Sequence, residues 1–297
     1  MRRVTLLAAI VLMTAGCTSL LFHPMREHLL TPDRLGLAYR DVWFEAEDGV
    51  RVHGWFLPAN GKATGTVLFL HGNAENISTH IASVAWLPGA SFNVFLMDYR
   101  GYGLSEGSPS FDGLHRDVAA AVETVFKLDG VDPDRVVLFG QSLGGALAIT
   151  ALARSPRRER LRALVVEGAP SSYRGLAQEK LAELWLTWPL QVPLSWTIDD
   201  QYRPLDAIAS VAPLPILIIQ GEADTIVPPA HGKALFAAAR EPKTLWLLPH
   251  TGHIRAFAAE ENRRRLIDYL RTVDGVSTRG QRQVNIEVDD VNFRQHP

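Results

Sequence analysis

Short runs rich in Val, Ile, Leu, Phe and Trp recur along the chain at about 42–46, 51–57, 66–70, 93–97, 135–139, 163–167, 215–219 and 244–248, and each predicts a strand. Asp48-Gly49 separates the first two as a turn signal. Val42, Phe44 and Ala46 alternate with other residues, as in a partly exposed strand, so the sheet is expected to begin as an antiparallel hairpin. The runs Thr66–Leu70 and Pro215–Ile219 are apolar almost throughout. Strands covered on both faces have that character, which places these in the parallel centre of the sheet. Helical spacing marks 111–127, 143–154, 230–240 and 255–272. Strand and helix alternate, so the fold class is α/β, with an eight-stranded, mostly parallel sheet flanked by helices.

Residues 170–204 break this rhythm. Pro189 and Pro193, Trp185, Trp188 and Trp196, and an amphipathic piece near 175–186 read as a small cap inserted over a site, or equally as a peripheral excursion with buried aromatics. Residues after about 275 are polar without a clear period, so 276–297 is expected to be a flexible tail.

The first residues carry a different signal. Arg2 and Arg3 precede an apolar stretch from Val4 to Ala15, then small residues and Cys17, as in a secretory signal peptide. The stretch is shorter than the roughly 20 residues that span a bilayer. Met13-Thr14-Ala15-Gly16-Cys17 resembles the lipobox of bacterial lipoproteins, with Thr14 where Leu is usual. That resemblance implies lipidation of Cys17 and, with Thr18 following, an outer-membrane address where the organism has one. An ordinary signal peptide or uncleaved anchor is the plainer alternative. The division expected is therefore 1–17 leader, 18–275 main domain and 276–297 tail.

A single cysteine in 297 residues leaves no internal disulfide framework and no cysteine-based zinc site. The formal charge of −2, without a long basic run, lacks the electrostatic footprint of a nucleic-acid binder. No obligate protein partner is implied.

The strongest chemical signal is Val136-Val137-Leu138-Phe139-Gly140-Gln141-Ser142-Leu143-Gly144-Gly145, a strand running through G-x-S-x-G into a helix. A serine on such a turn crowds its neighbours, and glycines at 140 and 144 remove the side chains that would clash. The helix start supplies backbone N–H groups where negative charge develops, and the Leu143 N–H is the natural oxyanion donor. A hydroxyl needs a base, and histidine has a suitable pKa. Where G-x-S-x-G carries a nucleophile on such a strand-to-helix turn, chain order runs serine, acid, histidine, so His231, His250 and His253 compete.

From about 40 to 272 the chain resembles α/β-hydrolases with a minimal cap. The resemblance rests on Phe69-Leu70-His71-Gly72-Asn73-Ala74, Asp98-Tyr99-Arg100-Gly101-Tyr102-Gly103-Leu104-Ser105, the Ser142 motif, Gly221-Glu222-Ala223-Asp224-Thr225-Ile226-Val227-Pro228 and Gly252-His253, in order. The group includes esterases, thioesterases and protein depalmitoylases, several with an N-terminal membrane anchor. It implies Asp224 as the triad acid, with Glu222, Asp199 and Asp200 as rivals, and His253 as the base, with His250 as its main rival. It also implies Asn73 as the second oxyanion donor, with Ala74 as the alternative. His71 is expected to brace that loop, and Tyr99 to Gly103 to be structural.

The function implied is hydrolysis of carboxylic esters or thioesters through an acyl-enzyme on Ser142, a chemistry that needs neither cofactor nor metal. Alternatives are amide or peptide cleavage with the same triad, and a lipoprotein that binds without turnover. Should the cap fold over Ser142, Trp185, Trp188, Leu190 and Trp196 would offer an apolar wall for an acyl or aromatic ester.

Overall fold

A computed structural model describes residues 22–183, 187–198 and 200–275. Cys17 and the leader, Trp185, Asp199 and the tail after 275 lie outside the described residues.

The main sheet has eight strands, numbered in chain order: β1 (Arg40–Glu45), β2 (Arg51–Leu57), β3 (Gly65–Leu70), β4 (Phe92–Met97), β5 (Val136–Gln141), β6 (Ala163–Glu167), β7 (Ile216–Gly221) and β8 (Lys243–Leu248). Their spatial order is β8-β7-β6-β5-β3-β4-β2-β1. β2 runs antiparallel to both its neighbours, and all other pairs are parallel. The hairpin and the parallel centre thus stand where the hydrophobic pattern puts them. β5 continues past the apolar run, because Gly140 and Gln141 still pair with Val166 and Glu167.

Alternate residues on the central strands feed two separate cores, as the period of two requires. Leu68, Leu70 and Leu138 face the helices α1 (Phe111–Val125) and α2 (Leu143–Arg154). Val67, Phe69 and Phe139 face the other way, onto Ile81, Phe257 and Leu266. After them in the chain come α3 (Tyr173–Glu183), α4 (Pro229–Ala238) and α5 (Glu260–Gly275). The stretch 255–272 is divided: Ala256–Ala258 forms a 3-10 turn and Ala259 is extended, so the last helix begins only at Glu260.

Residues 170–204 leave the sheet after β6 as α3, a 3-10 turn (Trp188–Leu190) and a short helix (Gln191–Ser195). The excursion closes at its base. The Asp200 carboxylate accepts from the Ser172 hydroxyl at 2.9 Å and from the Tyr173 N–H at 3.2 Å, and the Arg174 guanidinium donates to the Ile198 carbonyl. Trp188, Leu190 and Trp196 are exposed, not core residues.

Candidate active site

Ser142 sits between the last residue of β5 and the first of α2, with φ 54° and ψ −117°. That conformation is costly for an L-residue and persists only where its surroundings impose it. Here the Ser142 N–H donates to the Glu167 carbonyl at 2.8 Å, and the Ser142 carbonyl accepts from the Ala146 N–H at 3.1 Å, in the first turn of α2. A Cβ at Gly140 would overlap the Gly144 carbonyl oxygen, and one at Gly144 would overlap that of Leu70. The turn therefore closes only with glycine at both positions.

The turn after β8 brings His253 to this serine. Its Nε2 lies 3.0 Å from Ser142 Oγ, and its Nδ1 lies 2.7 Å from Asp224 Oδ2. Asp224 follows β7 and is nearly buried. Its Oδ1 accepts the Ile226 and Val227 N–H groups, both at 2.9 Å, which fixes the carboxylate against rotation.

The rivals lie elsewhere. Glu222 and His250 are exposed, His250 with φ 54° in the turn after β8. His231 lies between the Ser171 hydroxyl at 2.8 Å and Glu179 at 3.1 Å, and Asp200 is engaged at the base of the excursion.

The loop after β3 runs beside the serine; a Cβ at Gly72 would lie 3.6 Å from that of Ser142. The Tyr99 hydroxyl donates to the His71 carbonyl at 3.0 Å, and the Tyr102 hydroxyl to the Asn73 carbonyl at 2.8 Å. His71 Nδ1 donates to the Gly72 carbonyl at 2.7 Å, and burial pushes its pKa well down, so the ring is neutral and braces the loop. Ala74 pairs with His23 in a short parallel bridge, and its carbonyl accepts from His80 Nε2 at 3.0 Å. Arg100 forks onto Asp48 and Asp117, a structural use.

Two residues at the site escaped the sequence reading. The buried carboxylate of Glu167 accepts from Gln141 Nε2 at 2.6 Å and from the Ala256 N–H at 2.8 Å, tying the residue before Ser142 to the segment after His253. Its signal was an acid closing an otherwise apolar run, Ala163-Leu164-Val165-Val166. Gly168 has φ 60°, and a Cβ there would lie 3.2 Å from His253 Nδ1 and 3.4 Å from Asp224 Oδ2.

Among the described residues, His28, His53 and Asp98 have metal-ligand chemistry, with ligand atoms within 4.8 Å of one another. Hydrogen bonds already engage most of them: His28 Nε2 with Asp98 Oδ2 at 2.8 Å, the Ile77 N–H with Asp98 Oδ1 at 2.9 Å, and His53 Nε2 with Asp41 at 2.7 Å. His53 Nδ1 has no hydrogen-bond partner among the described residues, and burial lowers the pKa of that ring.

Residues 61–206 match the family described as serine aminopeptidase, S33. The chain is 39% identical over 237 residues to the uncharacterized protein YfhR of Escherichia coli K12, covering 77% of this chain and 79% of that protein. It is 35% identical over 251 residues to the alpha/beta hydrolase domain-containing protein WAV2 of Arabidopsis thaliana, covering 80% of each. The esterase Pf2001 of Pyrococcus furiosus superposes with a TM-score of 0.68 at 23% identity, over 84% of this chain and 98% of that one.

Proposed function

This chain belongs to the α/β-hydrolase family, and we propose that it is a serine hydrolase cleaving carboxylic esters or thioesters through an acyl-enzyme on Ser142. The observation that carries the reading is the continuous relay from Ser142 Oγ through His253 to Asp224, with separations of 3.0 and 2.7 Å. His253 Nε2 takes the hydroxyl proton as Oγ attacks the carbonyl carbon, while Asp224 holds the Nδ1–H and stabilises the imidazolium. The Leu143 and Asn73 N–H groups are assigned to the oxyanion. The imidazolium then protonates the departing alkoxide or thiolate, leaving the acyl group on Oγ. Water, deprotonated by the same Nε2, releases the acid and restores the serine.

Peptide cleavage is the second reading, favoured by the description of the matching family. Export and a lipid anchor at Cys17 belong to the proposal on the strength of the N-terminal sequence alone.

Turnover of short- and medium-chain p-nitrophenyl esters, an acyl thioester and an aminoacyl p-nitroanilide tests the choice. The proposal expects ester or thioester turnover that Ser142→Ala reduces by at least about 10⁴-fold. Anilide turnover without ester turnover would move the assignment to a peptidase. A folded protein inert toward all three would favour binding without turnover.

A further inference from the structure

The stretch 184–198 contains no Asp, Glu, Lys or Arg. Ser195 and Ile198 are buried, but its large apolar side chains otherwise face solvent: Trp188 is 60% and Trp196 69% exposed, with Leu190, Val192 and Leu194 exposed between them. Soluble surfaces seldom present so many large apolar groups together, and a contiguous patch marks an interaction surface. Leu104 and Ile226, in the loops after β4 and β7, are also exposed. The excursion reaches that edge of the sheet, because Lys180 Nζ on α3 donates to the Thr225 carbonyl at 2.5 Å.

The path of the N-terminal chain says what covers this face. Phe22, the first described residue, packs its ring 5.2 Å from that of Phe111, which lies 4.7 Å from that of Tyr173 at the start of α3. His23 pairs with Ala74 in the loop after β3. The chain that carries the apolar stretch Val4–Ala15 therefore joins the domain at the root of the excursion, on the edge that holds Ser142.

We infer that the exposed face of residues 188–196 docks on a lipid bilayer, with Trp188 and Trp196 at the interfacial level and the catalytic edge turned toward the membrane. Tryptophan favours that level because its ring is apolar and its N–H polar, and an uncharged face avoids burying ions in lipid. Both the choice of a bilayer as the occupant and the orientation rest on reading residues 1–17 as membrane-directing.

The test uses the full chain in a Trp185→Phe background, mixed with phosphatidylcholine vesicles whose acyl chains are brominated. No tryptophan precedes Trp43, so quenching reports the domain and not the leader. The inference expects quenching that is mostly lost in Trp188→Phe/Trp196→Phe. Co-flotation with the vesicles without quenching would overturn the docking while leaving the anchor intact. Quenching that survives the double substitution would place another face on the membrane and overturn this one. Light scattering that shows a dimer dissociated by Trp188→Gln/Trp196→Gln would overturn the inference in favour of self-association.

Discussion

Glu167 accepts the Ala256 N–H at 2.8 Å through one carboxylate oxygen, while its backbone carbonyl accepts the Ser142 N–H at the same distance. One residue at the end of β6 thus holds both the strained serine turn and the segment that follows His253. Removing the carboxylate leaves buried donors unpaired, a loss of about 1–3 kcal/mol for each. Glu167→Ala is expected to lower kcat more than tenfold with little change in KM. Glu167→Gln should recover much of it, because Gln141 can turn its amide to match. Equal losses in both variants would argue against this positioning role.

Gly168→Ala tests the space around the relay. The added methyl meets His253 and Asp224 and must adopt a φ of 60°. The His253 ring must give by a few tenths of an ångström, where a full displacement of about 1 Å would cost about 100-fold in rate. Steady-state kinetics should show a smaller loss in kcat, on the order of tenfold, with a melting temperature lowered by only a few degrees.

Tyr102→Phe removes the hydroxyl that holds the Asn73 carbonyl. If that loop supplies an oxyanion donor, kcat should fall about tenfold while KM stays nearly constant. A change confined to KM would assign the loop to substrate binding.

His115 ties stability to pH. Its ring stacks on Tyr202 with centroids 3.7 Å apart, and burial, helped by nearby Arg154, holds its pKa down to about 4. Above its unfolded value of 6.5 the ring is neutral in both states and carries no penalty. As pH falls from there toward 4, the unfolded chain takes up the proton first, so stability is lost by up to about 3 kcal/mol. Thermal melts between pH 7.5 and 4.5 should show this slope, reduced in His115→Gln.

Much of the architecture was legible because β3 to β7 are covered on both faces and leave apolar runs in the sequence. The serine turn was legible because its glycine spacing is imposed by backbone contacts only ångströms away. Glu167 was not, because its partners Gln141 and Ala256 lie 26 and 89 positions away. The tryptophans of 185–196 were ambiguous for a related reason: apolar character alone does not say whether a side chain meets a core or a surface.

Labelling with a fluorophosphonate, read by mass spectrometry of the digested protein, tests the central claim most directly. The account predicts a single adduct on Ser142, absent from Ser142→Ala and slowed at least about 100-fold in His253→Ala. An unlabelled Ser142 in protein shown to be folded, or an adduct on another residue, would contradict it.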